Sequence, residues 1–396
     1  MTDILIEGSE ALIGGVFAST SIHVANGRIS EGLSRNGAGA MRLDGRGLLA
    51  LPGIIDMHGD AFERQMMPRP GVDFPVDVAL VDSDRQAIAN GITTVFHATT
   101  WSWEPGLRGT ENAHRLLDAI EAMRPQLAAD TRFHLRQETY NLDAEPVIAE
   151  WLVTGRVDLL AFNDHMDMTT SSMSNPKKRM RMVERSGLSE NEFDKLVERV
   201  LARETDVPAS IARLATIARD HAIPLLSHDD KSPEQRSEFR AMGVELAEFP
   251  INEETARAAA DAGDFTVFGA PNVVRGGSHT GWTSAADMVS KGLCSILASD
   301  CYYPAPLLAA FMLAADNILP LAQAWSLVSG APAAATGLHD RGQIAAGKRA
   351  DIILVDAREP LRPRVVAAIT NGRLVYLTEP QRILSATPAV RQVEPA

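Results

Sequence analysis

Imidazole and carboxylate side chains recur in this sequence directly after short apolar runs. His58 and Asp60 stand two apart in Asp56-Met57-His58-Gly59-Asp60. Glu138 ends Arg136-Gln137-Glu138, His165 follows Asn163-Asp164, His228 follows Ser227, and Asp300 follows Ala298-Ser299. In extended chain, residues two apart face the same side, so His58 and Asp60 work on one face. A mixture of imidazole and carboxylate suits divalent metals, zinc first, with manganese or iron accepted by the same donors. Two such ions, about 3.5–4 Å apart, share a carboxylate and lower the pKa of a water between them toward 7. A further carboxylate then takes the proton and passes it to the leaving group. Glu138 is placed to bridge and Asp300 to act as the base. Taken alone, a strand-end His is usually a hydrogen-bonded loop residue, and a strand-end Asp is often a helix N-cap. The whole set, at five strand ends, favours a site for two divalent ions.

Other polar residues suggest an anionic substrate. Arg275 and His279 flank or occupy the turn Gly276-Gly277-Ser278-His279-Thr280-Gly281, where backbone N–H groups and two cationic side chains could hold phosphate. The turn lacks the GK[ST] ending of a Walker loop, and its bland reading is a flexible loop. Arg69, in Met67-Pro68-Arg69-Pro70, and Arg136, two before Glu138, join them as candidate substrate-binding residues. His134 shares the face of Arg136 and lines or fills the interior. The basic run Lys177, Lys178, Arg179, Arg181 reads either as a solvated helix face or as a lid over an anionic substrate.

These residues need a scaffold that brings distant strand ends together. Apolar runs at 53–57, 93–98, 132–138, 159–163, 224–228, 246–249, 266–270 and 295–299 read as strands. Segments with helical spacing, such as 82–90, 113–123, 190–202 and 210–221, lie between them. Strand–helix alternation of this kind predicts a (β/α)8 TIM-like barrel with its active site at the C-terminal strand ends. The apolar tract 304–325 is interrupted by Asp316, Asn317 and Pro320 and reads as a broken buried helix. Both ends of the chain are β-rich instead. Strands are expected at 4–7, 21–24, 41–43, 350–355 and 373–377, with turns at Asn26-Gly27 and Asn371-Gly372. The expected division is a small β-sandwich from 1–51 and 343–396 around a barrel over 52–342.

Composition bounds the rest. With 396 residues, 45% hydrophobic and 22% charged, the chain is a globular protein large enough to build its core without disulfides. Two cysteines, Cys294 and Cys301, make no framework, which suggests a reducing, cytoplasmic setting. A net charge of −13 argues against nucleic-acid binding through phosphates. No basic, apolar leader and no membrane span is expected. The expected partner is a small anionic molecule, and a homo-oligomer is compatible with all of this.

LPGIIDMHGD, GITTV and the closing AAGKRADIILVD resemble the amidohydrolase superfamily over almost the whole chain. MPRPGVDFP, HLRQE, SHDD, AEFP, GAPNVVRGGSHTG and LASD resemble one branch of it, which works in phosphonate degradation. The resemblance implies a binuclear site built from His58, Asp60, Glu138, His165, His228 and Asp300, with Glu138 in place of the carbamylated lysine of many relatives. It also implies hydrolysis of a phosphoanhydride in a ribose 1-phosphonate 5-triphosphate-like substrate, releasing diphosphate. The chain departs from the branch at 61–65 and 166–169, on loops that face substrate. The competing activity is cleavage of a C–N bond in a cyclic amide, ureide or N-acyl compound. A barrel that had become a non-catalytic scaffold would lack ligands, whereas this one keeps a full set.

Overall fold

Eight strands, hydrogen-bonded in chain order, run parallel: β1 (Ile54–Gly59), β2 (Ile92–Trp101), β3 (Asp130–Glu138), β4 (Leu159–Asn163), β5 (Leu225–His228), β6 (Leu246–Glu248), β7 (Phe265–Gly269) and β8 (Ile296–Ala298). The computed structural model describes residues 2–30, 40–69, 71–278 and 281–384. The barrel closes where Gly59 pairs in parallel with Asp300. Asp300 N donates to His58 O at 2.8 Å, and Asp60 N to Asp300 O at 3.0 Å. Behind this seam the buried Asp56 carboxylate accepts from Ser299 N (2.8 Å) and Ser299 Oγ (2.5 Å). The strands are apolar on both faces because both are covered. Ile55, Met57, Phe96, Leu226, Val267 and Ile296 fill the interior. On the outer face Phe133, Leu160 and Leu225 share a core with Leu80 and Leu117 of the surrounding helices.

The helices obey local rules. Helix Pro176–Ser186 starts at Asn175, whose side chain accepts from Lys177 N and Lys178 N, and ends at Gly187, left-handed at φ 69°. Helix Glu190–Leu201 opens with a complete capping box from Ser189 and Glu192. The tract 304–325 does break: helix Ala305–Ala315 stops, Asn317 turns left-handed, and helix Leu321–Ser326 follows Pro320. Among the described residues no helix is long and apolar enough to cross a membrane.

The two ends of the chain meet in one nine-stranded sheet. Ile352–Asp356 pairs antiparallel with Leu49–Pro52 and with Arg364–Thr370, which ties the C-terminal segment to the N-terminal one. The long strand Ile4–Ile13 pairs with Met41–Asp44 through its first half and with Leu49–Pro52 beyond a bulge between Ile6 and Ser9. The sheet thereby bends over its own core of Ile6, Ile22, Leu43, Leu354 and Ile369. Asn26-Gly27 and Asn371-Gly372 make their turns with positive φ at both residues, as tight hairpins require. This sheet packs on the barrel, since Leu12, Leu51, Ile353 and Val365 share a core with Ile54, Ile88 and Trp325.

Candidate active site

The C-terminal ends of the strands bring the polar residues together. His58 ends β1 and is buried; its Nδ1–H donates to Glu248 Oε1 at 2.8 Å, at the end of β6. A carboxylate on one ring nitrogen fixes the tautomer and leaves the other nitrogen as a lone-pair donor, the arrangement that orients metal-ligating histidines. His58, Asp60 and Asp300 offer ligand atoms that all lie within 4.8 Å of one another. Burial pushes Asp60 up to about 7, with Arg136 opposing and Asp300 adding to the rise. Two half-buried carboxylates held so close call for a cation.

A second group stands beside the first. His165, His228 and Asp229 again bring ligand atoms within 4.8 Å. Asp229 Oδ2 is 3.4 Å from His165 Nε2 and 3.2 Å from His228 Nδ1. Glu138, at the end of β3, accepts from His165 Nδ1 at 2.6 Å. Burial opposes protonation of His165, but Glu138 and Asp229 outweigh it and hold the imidazole at about 9. The His58 and His228 rings are 5.8 Å apart, and the His165 and His228 rings 5.7 Å. Between the groups lies the buried Arg136 guanidinium, donating to His228 Nε2 at 3.1 Å and standing 3.7 Å from Asp60. Five acids, Asp60, Glu138, Asp229, Glu248 and Asp300, gather around Arg136 and His165. That excess of acid, with three histidines, fits divalent ions.

Backbone geometry aims several of these groups. Asp229, Phe249 and Asp300 are left-handed at φ 59°, 55° and 51°. This conformation costs a non-glycine residue roughly 1–2 kcal/mol. Asp229 N and Phe249 N still complete the ladder, donating to Glu248 O and Val267 O at 2.8 and 2.9 Å. The chain then turns off each strand, and Phe249 packs edge-on against both His58 (5.0 Å) and His228 (5.2 Å).

Two chambers open from the cluster. One, of about 360 Å³, runs past His58, Asp300 and Asn272 to Phe249, Phe268 and Trp282. The other, of about 290 Å³, runs past Glu138 and His165 to Arg108 and Arg185. Arg136 and Met168 line both. A larger groove of about 1010 Å³ between Trp103 and Arg199 lies outside the cluster.

Of the residues expected to bind substrate, Arg136 is thus central. Arg275 is exposed at the end of helix Ala270–Val274, and Arg69 is exposed beside Val72; neither lines either chamber. His279 lies outside the described residues. His134 fills the interior, fully buried, with Nδ1–H donating to Met57 O at 3.0 Å. Arg179 of the basic run is bound to Glu190 and Asp194 of the next helix, while Lys177, Lys178 and Arg181 are exposed. Sequence reasoning missed Glu248, Asp229, Arg108 and Arg185. A carboxylate ending an apolar run was a usable signal for Glu248, and Asp229 sits beside a chosen histidine.

The amidohydrolase family profile matches residues 76–376. The chain belongs to the amidohydrolase family. It is 34% identical over 363 residues to the alpha-D-ribose 1-methylphosphonate 5-triphosphate diphosphatase of Escherichia coli K12, covering 90% of this chain and 96% of that one. This amidohydrolase also has the fold of a triazine hydrolase variant (TM-score 0.65, 15% identity, 96% of each chain covered). The N-isopropylammelide isopropylaminohydrolase of Burkholderia multivorans is similar in fold too (TM-score 0.63, 19% identity, 95% of this chain and 98% of that one). The chain is therefore a hydrolase on a (β/α)8 barrel, and its strand ends carry groups able to hold metal.

Proposed function

We propose that this amidohydrolase holds two divalent ions and cleaves a phosphoanhydride of a ribose 1-phosphonate 5-triphosphate-like substrate, releasing diphosphate. The single observation that carries the substrate class is the likeness to the Escherichia coli diphosphatase over nearly the whole length of both chains. One ion belongs with His58, Asp60 and Asp300, the other with His165, His228 and the carboxylates of Glu138 and Asp229. Zinc fits this donor set first, and manganese or iron fits it as well. When bound, the ions supply Lewis acidity toward a phosphoryl oxygen and a water.

The chain's own residues do the remainder. Glu248 holds the His58 ring, and Glu138 holds the His165 ring. Asp300 takes the proton of the attacking water and returns it to the leaving oxygen as the P–O–P bridge breaks. Arg136 supplies a fixed positive charge between the two groups, where negative charge builds on the phosphorus oxygens.

A second reading has one observation in its favour. The chamber beside Asp300 is walled by Phe249, Phe268 and Trp282, a surface that suits a neutral ring and hence cleavage of a C–N bond. A hydrolysis screen with added zinc or manganese separates the two. Ribose and nucleoside triphosphates are set against N-acyl compounds and cyclic amides. Diphosphate release is the expected result, and activity confined to the amides would transfer the function to the second reading.

A further inference from the structure

The chamber on the Glu138 side has a wall that the metal groups do not explain. Arg108, Arg136 and Arg185 all line it, together with Thr100 and Ser172. Arg136 and Thr100 are 6% and 3% exposed, yet Arg136 Nε and Thr100 Oγ1 have no hydrogen-bond partner. Three arginines on the wall of one chamber suit an anionic ligand.

The other two arginines are held in place. Arg108 NH2 is 3.1 Å from Glu63 Oε2. Arg185 NH2 is 2.8 Å from Glu104 Oε1 and 2.9 Å from its Oε2, with Glu104 itself buried. Each described ion pair uses the NH2 nitrogen, which leaves further donors of the planar fork for an anion. Backbone packing fixes the same corner. Gly106 is left-handed at φ 94°, and a Cβ there would stand 2.7 Å from the Arg185 carbonyl oxygen. The loop carrying Glu104 and Arg108 can therefore lie directly on the end of helix Pro176–Ser186 only because residue 106 is glycine.

We infer that Arg108, Arg136 and Arg185 form the cradle for the polyphosphate of the substrate, with the reacting bridge toward Glu138 and His165. This rests on the phosphoanhydride reading and adds to it the residues that recognise the anion. Each guanidinium forms charge-assisted bonds with phosphoryl oxygens, and Thr100 Oγ1 completes the polar lining. The cradle uses Arg185, at the end of helix Pro176–Ser186 and on the chamber wall, rather than the basic run at the start of that helix.

The test measures binding of inorganic diphosphate to the metal-loaded protein by calorimetry. Arg108→Gln and Arg185→Gln are each expected to weaken Kd by about 10- to 100-fold, while Lys178→Ala on the solvent face leaves it unchanged. Metal content and melting temperature show whether each variant is intact. Should a glutamine variant misfold, Arg185→Lys and Arg108→Lys are expected to fold and to bind diphosphate more weakly than wild type, because a point charge replaces a fork. Unchanged Kd in intact Arg108 and Arg185 variants, a loss in Arg275→Ala instead, or no diphosphate binding by wild type would each overturn the cradle. Hydrolysis by wild type reads the activity separately. Cleavage of neutral amides alone, with diphosphate still held by these arginines, would sink the phosphoanhydride reading and leave the cradle standing. Phosphoanhydride cleavage with KM unchanged in both variants would do the reverse.

Discussion

Asp60 and Asp300, both half-buried, share a corner with the buried His58, and their roles differ. Asp60 is the carboxylate that burial raises to about 7, so its first need is a cation. Asp300 is proposed as the base. Asp300→Asn is expected to retain most of the metal, measured by elemental analysis, while kcat falls about 10²- to 10⁴-fold. Glu248 acts through His58. Glu248→Gln keeps the shape but weakens the hold on the ring, and metal affinity measured against a chelator is expected to fall about 10- to 100-fold. An unchanged affinity would show that the His58 ring is fixed by packing against Phe249 alone. His58 and Asp60 were legible in sequence because strand periodicity puts residues two apart on one side. Glu248 was not, because it stands 190 positions from its partner and only barrel closure makes them neighbours. Arg108 and Arg185 were hidden for the same reason, and the conspicuous basic run beside Arg185 pointed to solvent.

At the scale of the element, the helix Pro176–Ser186 stands or falls by its ends. It is strongly polar, is held by Arg179 to the next helix, and buries only Val183 and Ser186. Its N-cap is therefore a large part of its local stability. Asn175→Ala is expected to cost about 1 kcal/mol, and amide exchange across 176–186 should speed up about fivefold. Exchange at the wild-type rate would mean that contacts with Glu190–Leu201 hold the helix instead. Most of the barrel strands were readable because they are buried on both faces and appear as short apolar runs, although Asp130–Glu138 carries polar residues throughout. The start of helix Val76–Ala89 was not, since it follows Pro75 with no side-chain cap to announce it. Strand Ile4–Ile13 was read as half its length because Gly8, left-handed at φ 69°, looks like a turn and is a bulge.

For the molecule as a whole, two buried features set stability. Arg236, 2% exposed, lies 3.1 Å from Asp230 and 3.3 Å from Asp264, beneath the loop that carries Asp229. Arg236→Met leaves the buried Asp230 without its cation and Asp264 with Arg240 alone, and the denaturant midpoint should drop by the equivalent of about 3–5 kcal/mol. Metal is the second feature. Ions that bind only the folded chain, at 1,000 times their Kd, add about 4 kcal/mol, so chelation should lower the melting temperature. The terminal sheet was foreseeable as β-rich ends, but the pairing of Ile352–Asp356 with Leu49–Pro52 depends on where the barrel delivers its two ends. The seam at Gly59 and Asp300 also imposes a schedule. His165 and His228 sit on neighbouring strands and can meet on a growing chain, at ~5–20 residues per second of synthesis, well before the last strand exists. His58 and Asp60 emerge first of all and wait longest, because their partner Asp300 is among the last barrel residues made. One half of the site can thus be born early, the other only at closure, and a chain cut short before residue 300 carries His58 and Asp60 without the acid that completes their group.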